Sequence, residues 1–249
     1  MKGQTGVLLG RLMRSIMRSP DTIITVAITP IMMMLLFVYV FGGAIETGTD
    51  NYVNYLLPGI LLMAIASGVA YTSLRLFTDV KSGLMARFMT MPIKRSSILW
   101  AHVLTSLVSN ALTIVVVILV ALLMGFHPSA DFLDWLAVAG ILGLFMLALT
   151  WLAVIPGLRA GSMEGATAYS YPLIFLPFIS SAFVPTETMP KLVRAFAENQ
   201  PVTSIVNAIR AFLYEGSVGN DIWVALSWCV SIMFIAYFIA CKEFKRKFG

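Results

Sequence analysis

Two histidines, two cysteines and one glycine-rich turn are the residues of this 249-residue chain whose types could do chemistry. A histidine pair can ligate a metal, a cysteine pair can ligate one or form a disulfide, and "GLRAGSMEG" (157–165) could cradle a phosphate. Spacing argues against each. His102 and His127 lie at opposite ends of one apolar run, about 38 Å apart at helical rise, and cannot share an ion. Cys229 and Cys241 are 12 residues apart on another run. That is about 18 Å along a helix, beyond a disulfide, so both read as small core or lipid-facing hydrophobes. The glycine cluster lacks the Lys-Ser/Thr that closes a G-x-x-x-x-G-K-[ST] loop, and neither HExxH nor GxSxG occurs. No catalytic, cofactor-binding or metal-ligating residue is expected here. If ATP drives this protein, another chain binds it.

The elements around these residues follow from composition. The chain is 59% apolar and 12% charged, against about 25% charged in a soluble domain, so it belongs in lipid. A span needs about 20 mainly apolar residues, and six candidates fit: roughly 23–42, 56–77, 98–125, 135–157, 166–185 and 222–241. Pro30, Pro172 and Pro177 fall inside spans, where neighbouring helices can satisfy freed carbonyls. The first run is too long for a signal-peptide core and five spans follow it, so it is expected to remain uncleaved.

Charge sets the orientation. With the N-terminus inside, inner segments hold 14 of the 17 lysines and arginines but only four of the 12 acids. This is the positive-inside pattern, with both termini cytoplasmic. It also accounts for the net charge of +5 without a nucleic-acid partner. Within residues 1–22, Arg11, Arg14 and Arg18 share one helical stripe, while Leu8, Leu9, Leu12, Met13 and Ile16 face the other way. An amphipathic helix in the inner membrane interface is expected.

Ion-coupled carriers place ionisable groups inside spans, whereas Arg75, His102, Arg159 and Glu164 all map to the cytoplasmic ends. No span is read as presenting a continuous polar stripe. An engine outside the membrane then needs a surface to push on. The stretch "DVKSGLMARFMTMPIKRSS" (79–97) is far longer than a minimal tether between packed helices. Leu84, Met85, Phe88 and Met89 form an apolar face flanked by Arg87, Pro92 stops the helix, and Lys94 and Arg95 open the next span. On these residues alone, a docking helix and a solvated positive loop stand equal.

The set Asp79, Lys81, Gly83, Arg87, Pro92 and Arg95 resembles the cytoplasmic loop of type-2 ABC-transporter permeases, the daunorubicin-resistance-like exporters of drugs, lipids and polysaccharides. "YLLPGILLMAIA" (55–66) and "FLPFISSAFVPTETMPKLVRAFAENQPVTSIVNAIRAFLYEG" (175–216) are similar to that family's second-span opening and conserved tail. The resemblance implies an all-α integral membrane fold: an interface helix over 1–22 carrying Arg11, Arg14 and Arg18, then one six-span domain over 23–249. It implies a coupling helix near 82–91, with Gly83, Leu84, Met85, Arg87, Phe88, Met89 and Pro92 docking a separate ATPase. ATP and Mg would sit on two copies of that ATPase. The permease would pair with a second permease, as homodimer or heterodimer, in a prokaryotic inner membrane.

The resemblance further implies an outer re-entrant hairpin, with Pro190, Pro201 and Arg210, that gates exit. The sequence places Val202, Ile205, Val206, Ile209 and Phe212 on one stripe of that hairpin, opposite Thr203, Ser204, Asn207 and Arg210. Hydrophobic drugs or lipids are the expected cargo. Polysaccharide or lipid-linked oligosaccharide is the alternative, with Tyr169, Tyr171, Phe175 and Phe178 as pathway aromatics. An ion-coupled carrier and a non-transporting scaffold remain as readings from other classes.

Overall fold

The computed structural model describes residues 6, 10, 12, 20–42, 52–90, 95–215 and 219–248, and among these every regular element is helical. The long helices are α1 (Pro20–Leu36, continued by a π-turn over Phe37–Phe41), α2 (Tyr52–Lys81), α4 (Arg95–Leu123), α5 (Phe132–Arg159) and α10 (Asp221–Phe248). Among the described residues, these five contain the stretches long and apolar enough to cross a membrane. Between them lie the short helices α3 (Leu84–Met89), α6 (Met163–Ala168), α7 (Ser170–Phe175), α8 (Lys191–Asn199) and α9 (Pro201–Arg210).

Helix α2 forms the axis of the bundle. Its run Leu56, Leu57, Ile60, Leu61, Ile65 and Val69 is buried, packed by α1, α4, α5, α6 and α7. A helix apolar on every side must be enclosed. The peripheral helices instead turn Ile28 and Met32, Val115 and Leu119, and Phe234 and Phe238 outward, as side chains facing acyl tails do. At 30 residues, α2 is about 45 Å long, against a hydrocarbon core of about 30 Å. Its last turns, with Arg75, Asp79 and Lys81, therefore project to headgroup depth.

Two contacts place helix ends on one face. Asp79 Oδ2 of α2 lies 3.4 Å from His102 Nε2 of α4, and Arg159, the last residue of α5, pairs with Glu243 of α10 at 2.8 Å. Leu76, Ile98, Leu158 and Phe244 join these ends in one apolar cluster. At the opposite face the Ser129 N–H donates to the Leu213 carbonyl at 3.1 Å.

The fifth expected span is not one helix. Residues 163–179 form α6, α7 and a 3-10 turn over Leu176–Ile179. The breaks follow proline chemistry: a proline ring lacks the N–H and clashes with the carbonyl four residues back. For Pro172 that is Ala168, where α6 ends; for Pro177 it is Leu173, just before the 3-10 turn. The last expected span is also extended, because α10 runs unbroken through Lys242, Lys245, Arg246 and Lys247.

A polar stripe does exist. His102, Thr105, Ser106, Asn110 and Thr113 are buried on one face of α4. They escape a search for consecutive polar residues because they recur at three- and four-residue steps. The Thr72 hydroxyl of α2 donates to Ser106 Oγ at 2.5 Å and the Asn110 amide to Ser106 Oγ at 3.2 Å. This seam joins helices through hydrogen bonds where apolar contact gives no preference over lipid. Gly68 permits the approach: a Cβ there would lie 1.9 Å from Asn110 Oδ1.

Candidate functional site

The loop between α2 and α4 begins at Gly83, whose φ of 73° is open chiefly to glycine. Helix α3 follows, the Arg87 N–H donating to the Gly83 carbonyl at 3.2 Å, and Met89 closes it. The apolar face read from the sequence turns inward. Met85 and Phe88 are buried in the cluster of Leu76, Ile98, Leu158 and Phe244, which Leu12 of the N-terminal segment also joins. Leu84 and Gly83 are half-buried, and Arg87 is exposed. The helix thus rests on the ends of the spans and presents Arg87 outward. Pro92, Arg11, Arg14 and Arg18 lie outside the described residues.

His102, which no motif in the sequence marks, contacts Asp79 and brings the two stems of this loop together. The signal was available. An acid closing one span and a histidine opening the next meet wherever consecutive antiparallel helices pack.

A cleft of about 560 Å³ opens between α1, α2 and α7. Of the four aromatics singled out, it gathers three: Tyr171, Phe175 and Phe178 line it, facing Thr29 and Met33 of α1 and Ser67 and Tyr71 of α2. Tyr171 is 59% and Phe175 58% exposed. Phe178 is held by stacking on Phe183 at 4.8 Å. Tyr169 departs from the group. Its hydroxyl donates to the Val69 carbonyl at 3.1 Å, and its ring lines a different cleft, beside Arg159.

The segment from Ser180 to Arg210 is built around the broken helix. Past Ile179 the chain is non-helical yet Ser180, Ala182 and Phe183 are buried, and buried carbonyls need donors. Side chains supply them. Tyr52 and Tyr55 donate their hydroxyls to the carbonyls of Phe183 (3.2 Å) and Ser181 (3.0 Å). The Gln200 amide reaches those of Leu176 and Ile179. Arg210 donates to the carbonyls of Ser181 (3.0 Å) and Tyr55 (3.1 Å), its guanidinium lying over the Tyr55 ring. Pro190 and Pro201 stand immediately before and at the start of α8 and α9.

Helix α9 carries the apolar stripe read from the sequence, and its polar side is enclosed as well. Thr203 and Ser204 are buried along with Val202, Ile205, Val206 and Ile209. The polar face looks into protein, because it packs where α2, α5 and α10 converge. The Ser181 hydroxyl donates to Asn207 Oδ1 at 2.7 Å, and Thr203 donates to the Ala197 carbonyl at 2.5 Å.

This arrangement holds a cleft and a short helix seated on the span ends, and no cluster of metal-ligating side chains occurs among the described residues. Residues 3–214 match the sequence pattern of ABC-2 type transporters. The chain belongs to the ABC-2 type transporter family. The permease is 29% identical over 235 residues to a daunorubicin resistance ABC transporter permease of Streptomyces coeruleorubidus, covering 92% of this chain and 81% of that one. It is 26% identical over 236 residues to a probable doxorubicin resistance ABC transporter permease of Mycobacterium tuberculosis, covering 92% and 83%. A putative transport permease of Cyanophora paradoxa is 26% identical over 216 residues, covering 85% and 74%. The permease is thus a multi-pass membrane subunit of an ABC exporter.

Proposed function

We propose that two copies of this permease pair as a homodimer and export hydrophobic drug-like or lipid cargo. Two cytoplasmic ATPase subunits, which carry the ATP and Mg, drive them. The observation that carries this reading is the cleft where Tyr171, Phe175 and Phe178 meet α1 and α2. It is apolar and aromatic with hydroxyls at intervals, open on one side, and suits amphipathic ring systems. A second copy would close it. Two relatives named for daunorubicin and doxorubicin resistance support such a cargo.

Helix polarity supports six crossings. The C-terminal ends of α5 and α10 meet at one face through Arg159 and Glu243, so the chain between them must traverse back, and 163–179 is the segment that does so. Lysine and arginine bias puts the shared face, and both termini, in the cytoplasm of a prokaryotic cell. The permease domain is a single unit over 23–249, behind the N-terminal segment.

Helix α3 is the coupling helix. Gly83, Leu84 and Arg87 meet the ATPase, while Met85 and Phe88 root the helix in the span ends and transmit its motion. At the other face the hairpin of α8 and α9, with Pro190, Pro201 and Arg210, gates exit.

Inside-out vesicles holding permease and ATPase test this reading. ATP-dependent uptake of an anthracycline should occur and fall at least about tenfold in Tyr171→Ala/Phe175→Ala, a loss of two stacking rings. Uptake unchanged by the pair would sink the cleft as pathway. Uptake of a labelled lipid-linked glycan in place of drug would move the cargo to the polysaccharide class.

A further inference from the structure

The cytoplasmic ends of α5 and α10 carry a charge cluster that transport does not use. Glu243 is 7% exposed, and each of its carboxylate oxygens accepts from a different arginine: Oε1 from Arg159 and Oε2 from Arg246, both at 2.8 Å. The arginines are 53% and 66% exposed. Lys247 adds a third cation, its ammonium donating to the Leu158 carbonyl. A buried acid thus fixes two guanidiniums side by side. Each offers the carboxylate one terminal nitrogen of a five-donor fork, with the remainder turned toward solvent.

Arg159 also stands at the mouth of a cleft of about 470 Å³ between α5 and α6–α7. Leu152, Ile155, Pro156 and Arg159 recur at three- and four-residue steps, so one face of α5 forms its wall. Leu173 lines it too. Paired guanidiniums at headgroup depth, beside an apolar channel, match a phosphodiester with an attached acyl chain. Arginine forks bind phosphate oxygens bidentately, and basic pockets between helices at the cytoplasmic face hold anionic headgroups.

We propose that the Arg159–Glu243–Arg246 cluster and the adjoining cleft bind one anionic phospholipid of the cytoplasmic leaflet, its phosphate on the guanidiniums and an acyl chain along Leu152, Ile155 and Leu173. The proposal rests on the cytoplasmic orientation above but not on the cargo. The bound lipid would fasten α5, α6 and α10 at the face where the ATPase pushes.

Native mass spectrometry of the full permease tests it, with phosphatidylglycerol and phosphatidylcholine supplied in equal amounts. One phosphatidylglycerol per chain should be retained, about tenfold over phosphatidylcholine, whose phosphate is the same but whose trimethylammonium the two guanidiniums and Lys247 repel. Arg159→Lys/Arg246→Lys keeps the charges and the Glu243 pairing but removes the forks, and should lower retention about fivefold or more. Ile155→Trp fills the channel and should displace the lipid with the cations intact. Equal retention of both lipids, or phosphatidylglycerol retained by both variants, would overturn the proposal. So would ATPase binding lost in the arginine pair while lipid retention stays unchanged, which assigns the cluster to the protein partner. Drug transport that fails with lipid still bound selectively counts against the cargo reading alone.

Discussion

The guanidinium carbon of Arg210 lies 3.9 Å from the centre of the Tyr55 ring, and the same group donates to the carbonyls of Tyr55 and Ser181. One side chain thereby ties α9 to α2 and to the non-helical segment after Ile179. A planar, permanently charged fork meets both carbonyls while its face stacks on the ring. That combination explains why irregular backbone survives in the interior of a membrane bundle.

Replacing Arg210 should therefore loosen the packing of α9 on α2. Arg210→Gln is expected to lower stability by about 2–4 kcal/mol, from charge-assisted hydrogen bonds and the cation–ring contact. Arg210→Lys keeps the charge but not the fork and should fall between. Thermal unfolding in detergent checks the order; a glutamine variant as stable as the parent would refute the role.

The two sides of α3 should separate in experiment. Arg87→Glu, at an exposed position, should abolish retention of the ATPase while leaving the unfolding temperature within a degree or two. Phe88→Asp buries an unpaired charge and should cost about 3–5 kcal/mol, losing ATPase binding only because the cytoplasmic cluster comes apart. Co-purification and unfolding curves of the two variants, side by side, distinguish docking from folding.

Tyr169 should behave unlike its aromatic neighbours. Tyr169→Phe removes one hydrogen bond to the Val69 carbonyl and should cost about 1 kcal/mol of stability with little effect on transport. Tyr171→Ala should do the reverse. Stability and vesicle uptake measured on both proteins test the division, and a transport defect confined to Tyr169→Phe would contradict it.

Gly68 should tolerate no side chain. A methyl group there would enter the space of Asn110 Oδ1 and push α2 from α4, at about 1–3 kcal/mol. Gly68→Ala/Asn110→Ala should recover part of the loss, because the second change vacates the space. Failure of any recovery would place the strain elsewhere.

Much of this protein could be read from residue order. Runs of about 20 apolar residues need lipid whatever their arrangement, and the loop from Asp79 to Arg95 and the tail around Pro190, Pro201 and Arg210 carried the family resemblance. Those signals are local: hydropathy, charge bias and proline act through neighbours along the chain. Which face of a helix meets protein is not local. Met85 and Phe88 looked like a docking surface and instead fill the gap between the ends of α2, α4, α5 and α10. The apolar stripe of α9 was legible but not that its Thr203 and Ser204 are buried as well, and the seam on α4 emerged only opposite Thr72. In lipid an apolar side chain gains nothing by choosing protein over acyl tails. Burial must therefore be decided by packing shape and by partners for polar groups, and those exist only once the helices have met.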